Sequence, residues 1–194
     1  MTIRGRDEAL AAFDKRKASL AKVFQDTFDE FYEKCGSIAV SLEGWTRAGI
    51  IRDLAKAKLI ALAAEDDGIR CHRKGNATSF TFGGLFNLQV KKLTDKLRAR
   101  ARTKASRDFD RNQGTLVLDD QPTTNVYLGH APSENDPKHP PFFIVCNDEN
   151  GRPAWDPIPI LPTAAVVAGE ITPTAKPEKG RVKIKPSRKR ETNG

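Results

Sequence analysis

Leu10, Phe13, Leu20, Phe24, Phe28 and Phe31 recur at intervals of three, four or seven, with Lys17 interrupting the stripe. This spacing predicts a helix over 7–34. Asp7, Glu8 and Asp14 lie near its start, where the helix dipole favours negative charge, and Cys35-Gly36 supplies a stop. A second helix is predicted over 45–64, with Trp45, Ala48, Ile51, Leu54, Ala55, Leu59 and Leu62 as its apolar face and Gly68 permitting the turn that ends it. The period then changes to two. Ile69, Cys71 and Arg73 alternate with Arg70, His72 and Lys74, Gly75-Asn76 is a hairpin signal, and Thr78–Phe82 returns. After Gly83-Gly84, the apolar run Leu85–Val90 reads as another strand.

From 91 to 113 the pattern is mixed. Leu93, Leu97 and Ala101 stand four apart, which predicts a basic helix. Thr115–Leu118 is a short apolar run, and Gln121-Pro122 marks a turn. A β meander follows: a strand at 125–129, a long proline-containing loop from Ala131 to Pro141, a strand at 142–146, a turn at 147–151 and a return over 153–158. Pro157, Pro159 and Pro162 restrict that return to a sheet edge or an extended exit. Beyond about residue 160 few bulky apolar side chains remain to offset the entropy of ordering, so a disordered tail is expected over 161–194. The expected architecture is α+β: one domain over 1–160, helical over 7–64 and sheet-rich over 68–158, with two N-terminal helices packed on a mainly antiparallel sheet.

Charge sharpens this picture. The chain has 194 residues, a formal net charge of +8 and 30% charged side chains. The excess sits in two places. Residues 161–194 hold eight basic residues against three glutamates, and residues 88–111 hold nine against three aspartates, so the rest of the chain is net acidic. Localised positive charge is a footprint for polyanions, and equally what a solvated helix face and a solubilising tail would show. The candidate nucleic-acid contacts are Lys91, Lys92, Lys96, Arg98, Arg100, Arg102, Lys104 and Arg107. Phe109 is the one aromatic residue of the segment, so base specificity is not visible there.

Other chemistry is thinner. Cys35, Cys71 and Cys146 are odd in number and scattered, which predicts reduced thiols and a cytoplasmic setting rather than a disulfide framework. No apolar run suggests a signal peptide or a membrane span. The spacings of His72, His130 and His139 with the cysteines match no zinc motif, and no cofactor is expected. Asp66 or Asp67 ahead of the hairpin, with Gln89-Val-Lys91 closing the next strand, echoes the PD-(D/E)xK nuclease pattern. In that reading the carboxylate side would hold Mg²⁺ and Lys91 would stabilise charge at the attacked phosphate, although Gln89 adds no charge for the metal. The helix followed by a hairpin over 45–82 also fits the end of a winged helix.

Phe86-Asn-Leu-Gln-Val-Lys-Lys-Leu93, the stretch from Thr103 to Gln113, Asn125-Val-Tyr-Leu-Gly129, the Phe142 strand and Gly151-Arg-Pro-Ala-Trp155 occur in an order that resembles an uncharacterised group of bacterial proteins. Members of that group sit beside regulators that combine a helix-turn-helix with an ImmA/IrrE-type peptidase domain. The resemblance covers 68–158, departs from the group in the 131–141 loop and the tail, and brings no catalytic residues. It implies a toxin–antitoxin or defence pair; together with the charge pattern, the expected function is a non-enzymatic partner that binds a protein encoded nearby through the sheet and DNA or RNA through 91–111 and the tail. The alternatives are the Mg²⁺-dependent nuclease and a structural module that binds no nucleic acid.

Overall fold

The structure is a computed structural model and describes residues 3–74, 77–101, 103–111, 113, 117–118, 121–133 and 135–160. The expected Gly75-Asn76 turn, Arg102, Gly114–Leu116 and the tail over 161–194 lie outside the described residues.

The phenylalanine stripe is helical, but it belongs to two helices rather than one: α1, Arg6–Asp14, and α2, Lys17–Cys35. The break falls at Arg16. Its amide bonds back to Phe13 O at 2.9 Å, a three-residue step that tightens the last turn, and its backbone stands at φ −114°, ψ −2°, at the margin of the helical region. The side chain is thereby free to reach Asp66, fifty residues away, with Nε–Oδ2 at 2.7 Å and Nη2–Oδ1 at 2.8 Å. The third helix, α3, spans Gly44–Glu65, close to its expected bounds.

Strands β1 (Ile69–Lys74), β2 (Ala77–Phe82) and β3 (Phe86–Val90) follow, then helix α4 (Lys104–Arg111) and a small ladder of β4 (Val117–Leu118) with β5 (Gln121–Pro122). Gln121-Pro122 is thus a paired strand rather than a turn. Strands β6 (Thr124–His130), β7 (Phe142–Val145) and β8 (Ile158–Ile160) complete the chain. The main sheet has six strands in the order β1-β2-β3-β6-β7-β8, antiparallel throughout except where β3 runs parallel to β6. The proline-bounded return does form an edge strand, but over Ile158–Ile160, overlapping the expected 153–158 only at Ile158. The β1–β2 hairpin is part of this sheet, which leaves it no separate place as a wing.

Alternation along the strands gives the sheet two unlike faces. Phe80, Phe82, Phe86, Leu88, Val126, Leu128, Phe142 and Ile144 point to the helices. Phe13 of α1 packs 5.0 Å from Phe82 and 5.5 Å from Phe86, and Phe24 of α2 packs 4.9 Å from Phe142, ring centre to ring centre. The opposite face presents Thr81, Asn87 and Asn125 in register, with Gln89 beside Tyr127 in the next row. It is covered by a second apolar cluster of Leu93, Ala99, Phe109, Tyr127 and Val145. Every residue of β6 is therefore buried, polar ones included.

The basic helix expected over 91–113 is confined to α4. The Lys91 amide bonds to Leu128 O and that of Leu93 to His130 O, both at 3.0 Å, so the chain after β3 continues along β6. It then turns back on itself through a Leu93–Ala99 bridge, with Leu97 at φ 53°. Tertiary pairing of the backbone overrides the four-residue spacing. Gly129 makes the close approach possible, because a Cβ there would lie 2.0 Å from Lys91 O and 2.9 Å from Leu93 Cγ.

Candidate functional site

The turn over 94–101 and helix α4 enclose an open cavity of about 910 Å³. Two local caps shape its walls. Thr94 Oγ1 accepts the Arg98 amide at 3.1 Å, and Thr103 Oγ1 accepts the Ser106 amide at 3.1 Å at the start of α4. Lys96, Arg98 and Arg100 reach the cavity from the turn, Arg107 and Arg111 from α4. Asp95, Asp110 and Glu149 are its carboxylates. Lys96, Arg98, Arg100 and Arg111 take part in none of the ion pairs found among the described residues.

Four of the eight residues singled out for nucleic-acid contact, Lys96, Arg98, Arg100 and Arg107, thus meet in one place. Lys92 and Lys104 are exposed but not among the lining residues, and Arg102 lies outside the described residues. Lys91 is drawn inward. Its Nζ sits 4.8 Å from the centre of the Tyr127 ring and is buried with no hydrogen-bond partner among the described residues. Burial holds its ammonium below the usual lysine range, against the opposing pull of Asp110.

The four residues of the nuclease pattern are not brought together. Asp66 is held bidentate by Arg16 and accepts the Gly68 amide at 2.8 Å, and the Arg16 bond is the main cause of its lowered pKa. Asp67 is exposed beside a separate hollow with Ile60, Ala63 and Arg70. Ile69 is level with Phe82 and so with Phe86, whereas Lys91 follows Phe86 by five residues. At a rise of about 3.3 Å per residue, the acids and Lys91 stand at opposite ends of the sheet, more than about 16 Å apart. Gln89 is half-buried in register with Tyr127.

The floor of the cavity is polar and buried. Asp110 is 2% exposed. Its Oδ1 accepts the Tyr127 hydroxyl at 2.8 Å, and Asn147 Nδ2 stands 3.4 Å from Oδ1 and 3.3 Å from Oδ2. Asn147 Nδ2 also donates to Ala99 O at 3.0 Å, tying the 94–101 turn to the end of β7. Gln113 donates to Asn125 O at 2.9 Å and Asn147 O at 2.6 Å, and accepts the Asn125 amide at 2.8 Å. Asn125 Nδ2 donates to Phe109 O at 2.7 Å, and Asn87 Nδ2 to Asn125 Oδ1 at 2.8 Å. Desolvation pushes the Asp110 carboxyl above its ordinary pKa; the bonds from Tyr127 and Asn147 and the charge of Lys91 work the other way. The Tyr127 hydroxyl is likewise raised by burial and by Asp110, and the Cys146 thiol is pushed up to about 12, chiefly by burial.

Asp110, Gln113, Asn125, Tyr127 and Asn147 were not among the residues that the sequence singles out as a site. The signal available was Asn125 and Tyr127 alternating with Val126 and Leu128, a pattern that normally marks a solvent face. Comparison of the chain with protein-family models, curated proteins and solved structures finds no match.

Proposed function

We propose that the protein binds a single-stranded nucleic acid, with the cavity between the 94–101 turn and α4 holding its phosphates. What supports this reading is one observation: five basic side chains from two separate stretches of backbone converge on one open cavity. Four of them form no ion pair among the described residues. Mutual repulsion of such a group is unfavourable, and a polyanion relieves it. A concave site receives an extended strand, whereas duplex grooves are read by a protruding helix or ribbon. In the paired-gene setting that the resemblance implies, the chain would be the binding component.

The test is fluorescence anisotropy of labelled single-stranded RNA and DNA against the full chain across a salt series. Replacing Arg98, Arg100 and Arg111 together by alanine is expected to weaken binding and to flatten the log–log salt slope by about 2, at about 0.7 for each phosphate no longer neutralised. A triple variant that binds as the parent does at every salt concentration would show that the cavity is only a solvated surface.

A further inference from the structure

The main sheet ends in two edge strands, β1 and β8. β8 carries Pro159, whereas β1 has no proline and has an apolar hollow beside it. β1 pairs with β2 on one side, and among the described residues no strand lies on its other side. The hollow, of about 600 Å³, has Ile60, Ala63 and Ala64 of α3 on one flank and Ile69 and Cys71 of β1 on the other. We propose that this edge takes up an extended segment of a partner protein as an added strand, with an apolar side chain seated in the hollow and an acidic one two residues away against Arg73. This does not rest on the nucleic-acid reading above.

The register of the hairpin decides which backbone groups are on offer. The Gly83 amide donates to Gly68 O at 3.0 Å, so the even-numbered residues of β1 are the ones bonded to β2: Arg70 with Thr81, His72 with Ser79 and Lys74 with Ala77. Cys71 and Arg73 therefore turn N–H and C=O outward. Ile69 adds its carbonyl alone, because its amide bonds to Asp66 O at 2.9 Å. The side chains of these three residues share the helix-facing side of the strand: Ile69 is buried in the core, Cys71 packs against it and Arg73 is exposed. In strand addition such backbone groups supply affinity, and pockets beside them select alternate side chains. A residue of the added strand opposite Cys71 points to the hollow, and one two positions on meets Arg73.

Charge then selects the occupant. Arg70 and Arg73 are exposed, and the strand Ile-Arg-Cys-His-Arg-Lys holds no carboxylate. A second copy of the chain would set this strand against itself, and like charges placed opposite one another oppose pairing. The chain's own 161–194 segment, with eight basic residues against three glutamates, has the same sign. Charge on an edge repels other copies, but an edge that only had to do this would need no apolar hollow beside it. An acidic strand with an apolar anchor fits both features. Asp67, which lines the hollow, precedes the strand, so the partner's acid belongs at the Arg73 end.

Binding is measured by fluorescence anisotropy of the full chain with a labelled threonine peptide carrying one valine and, two residues away, one glutamate. The peptide is made in both orders, to suit parallel and antiparallel addition. One order is expected to bind about tenfold tighter than its counterpart with lysine in place of glutamate. Methylating one alternate set of its amide nitrogens is expected to abolish binding, and methylating the other set to leave it. Cys71→Pro removes an outward amide without touching a bond to β2, a place where an edge strand accepts proline, and is expected to weaken binding about tenfold or more. Arg73→Glu needs no change of backbone and is expected to reverse the preference between the glutamate and lysine peptides. Equal binding of the two methylated forms, a preference that survives Arg73→Glu, or no binding of either order at low salt overturns the proposal. A full chain that sediments as a dimer, and as a monomer once Cys71→Pro is made, overturns it in favour of a second copy at this edge.

Discussion

Acidification is expected to destabilise the fold through one histidine. His130 ends β6 on the helix-facing side of the sheet, 8% exposed, with its ring edge-on to Phe28 of α2 at 5.0 Å. Burial holds its pKa down at about 4, with a smaller contribution from the charge of Lys92, against 6.5 for a free side chain. Above pH 6.5 the ring is neutral in both folded and unfolded chains, and the full stability is present. As pH falls below 6.5 the unfolded chain takes up a proton that the folded chain refuses, so stability drops until the folded ring also titrates near pH 4. The gap between the two values, at about 1.4 kcal/mol per pH unit, sets a loss of about 3 kcal/mol. The assay is urea denaturation of the parent and of His130→Leu over this pH range, read as the difference between the two proteins. That difference cancels the carboxylates, including Asp110, whose raised pKa acts in the opposite sense by stabilising the fold as pH falls through it. The expected result is that the parent loses ground to the variant by about 1.4 kcal/mol per unit between pH 6.5 and pH 4. A difference that stays constant over this range would refute the reasoning and mean that His130 takes its proton without disturbing the packing on Phe28.

Two further outcomes follow from the way the cavity is mounted on the sheet. Gly129→Ala places a methyl group against Lys91 O and Leu93, so the chain after β3 must leave β6, and a loss of about 3 kcal/mol or more is expected in urea. An unchanged midpoint would mean that the 91–93 backbone can shift without cost. Tyr127→Phe removes the 2.8 Å bond to the Asp110 carboxylate and is expected to cost about 1–3 kcal/mol in a calorimetric scan. A neutral substitution there would show that the bond does not help to hold α4 on the sheet.

Much of the architecture was legible because its signals are local. Phe13, Phe24, Phe28 and Phe31 all point one way and all are buried, and the alternation over 69–90 defines three strands within a residue or two of the structure. What was not legible depends on partners distant in sequence. The helix break at Arg16 is explained by Asp66. Leu93, Leu97 and Ala101 have helical spacing, yet the carbonyl of His130 claims the Leu93 amide first. The cationic half of the cavity could be found from charge counting alone. Its floor could not, because Asp110 in a basic stretch reads as one more solvated charge until Tyr127 and Asn147 arrive from β6 and from the end of β7.

The buried polar layer also explains how an irregular turn bearing several positive charges keeps its shape. Among the described residues, the 94–101 segment is closed locally only around Thr94, which donates to Arg98 O at 2.9 Å and accepts the Leu97 amide at 3.0 Å, and repulsion among Lys96, Arg98 and Arg100 opposes a compact turn. Apolar contact through Leu93 and Ala99 would hold it to the sheet but would tolerate sliding. Asn147 fixes the register instead: one amide nitrogen donates to Ala99 O in the turn and also faces the Asp110 carboxylate of α4. Gln113 then links Asn147 O to β6 at both the amide and the carbonyl of Asn125. Turn, helix and sheet are set relative to one another by directional bonds in a layer from which water is excluded, where misplacing any member leaves a buried group unsatisfied. Burying Asp110 costs free energy, and in return the two cationic walls of the cavity are held at a fixed spacing.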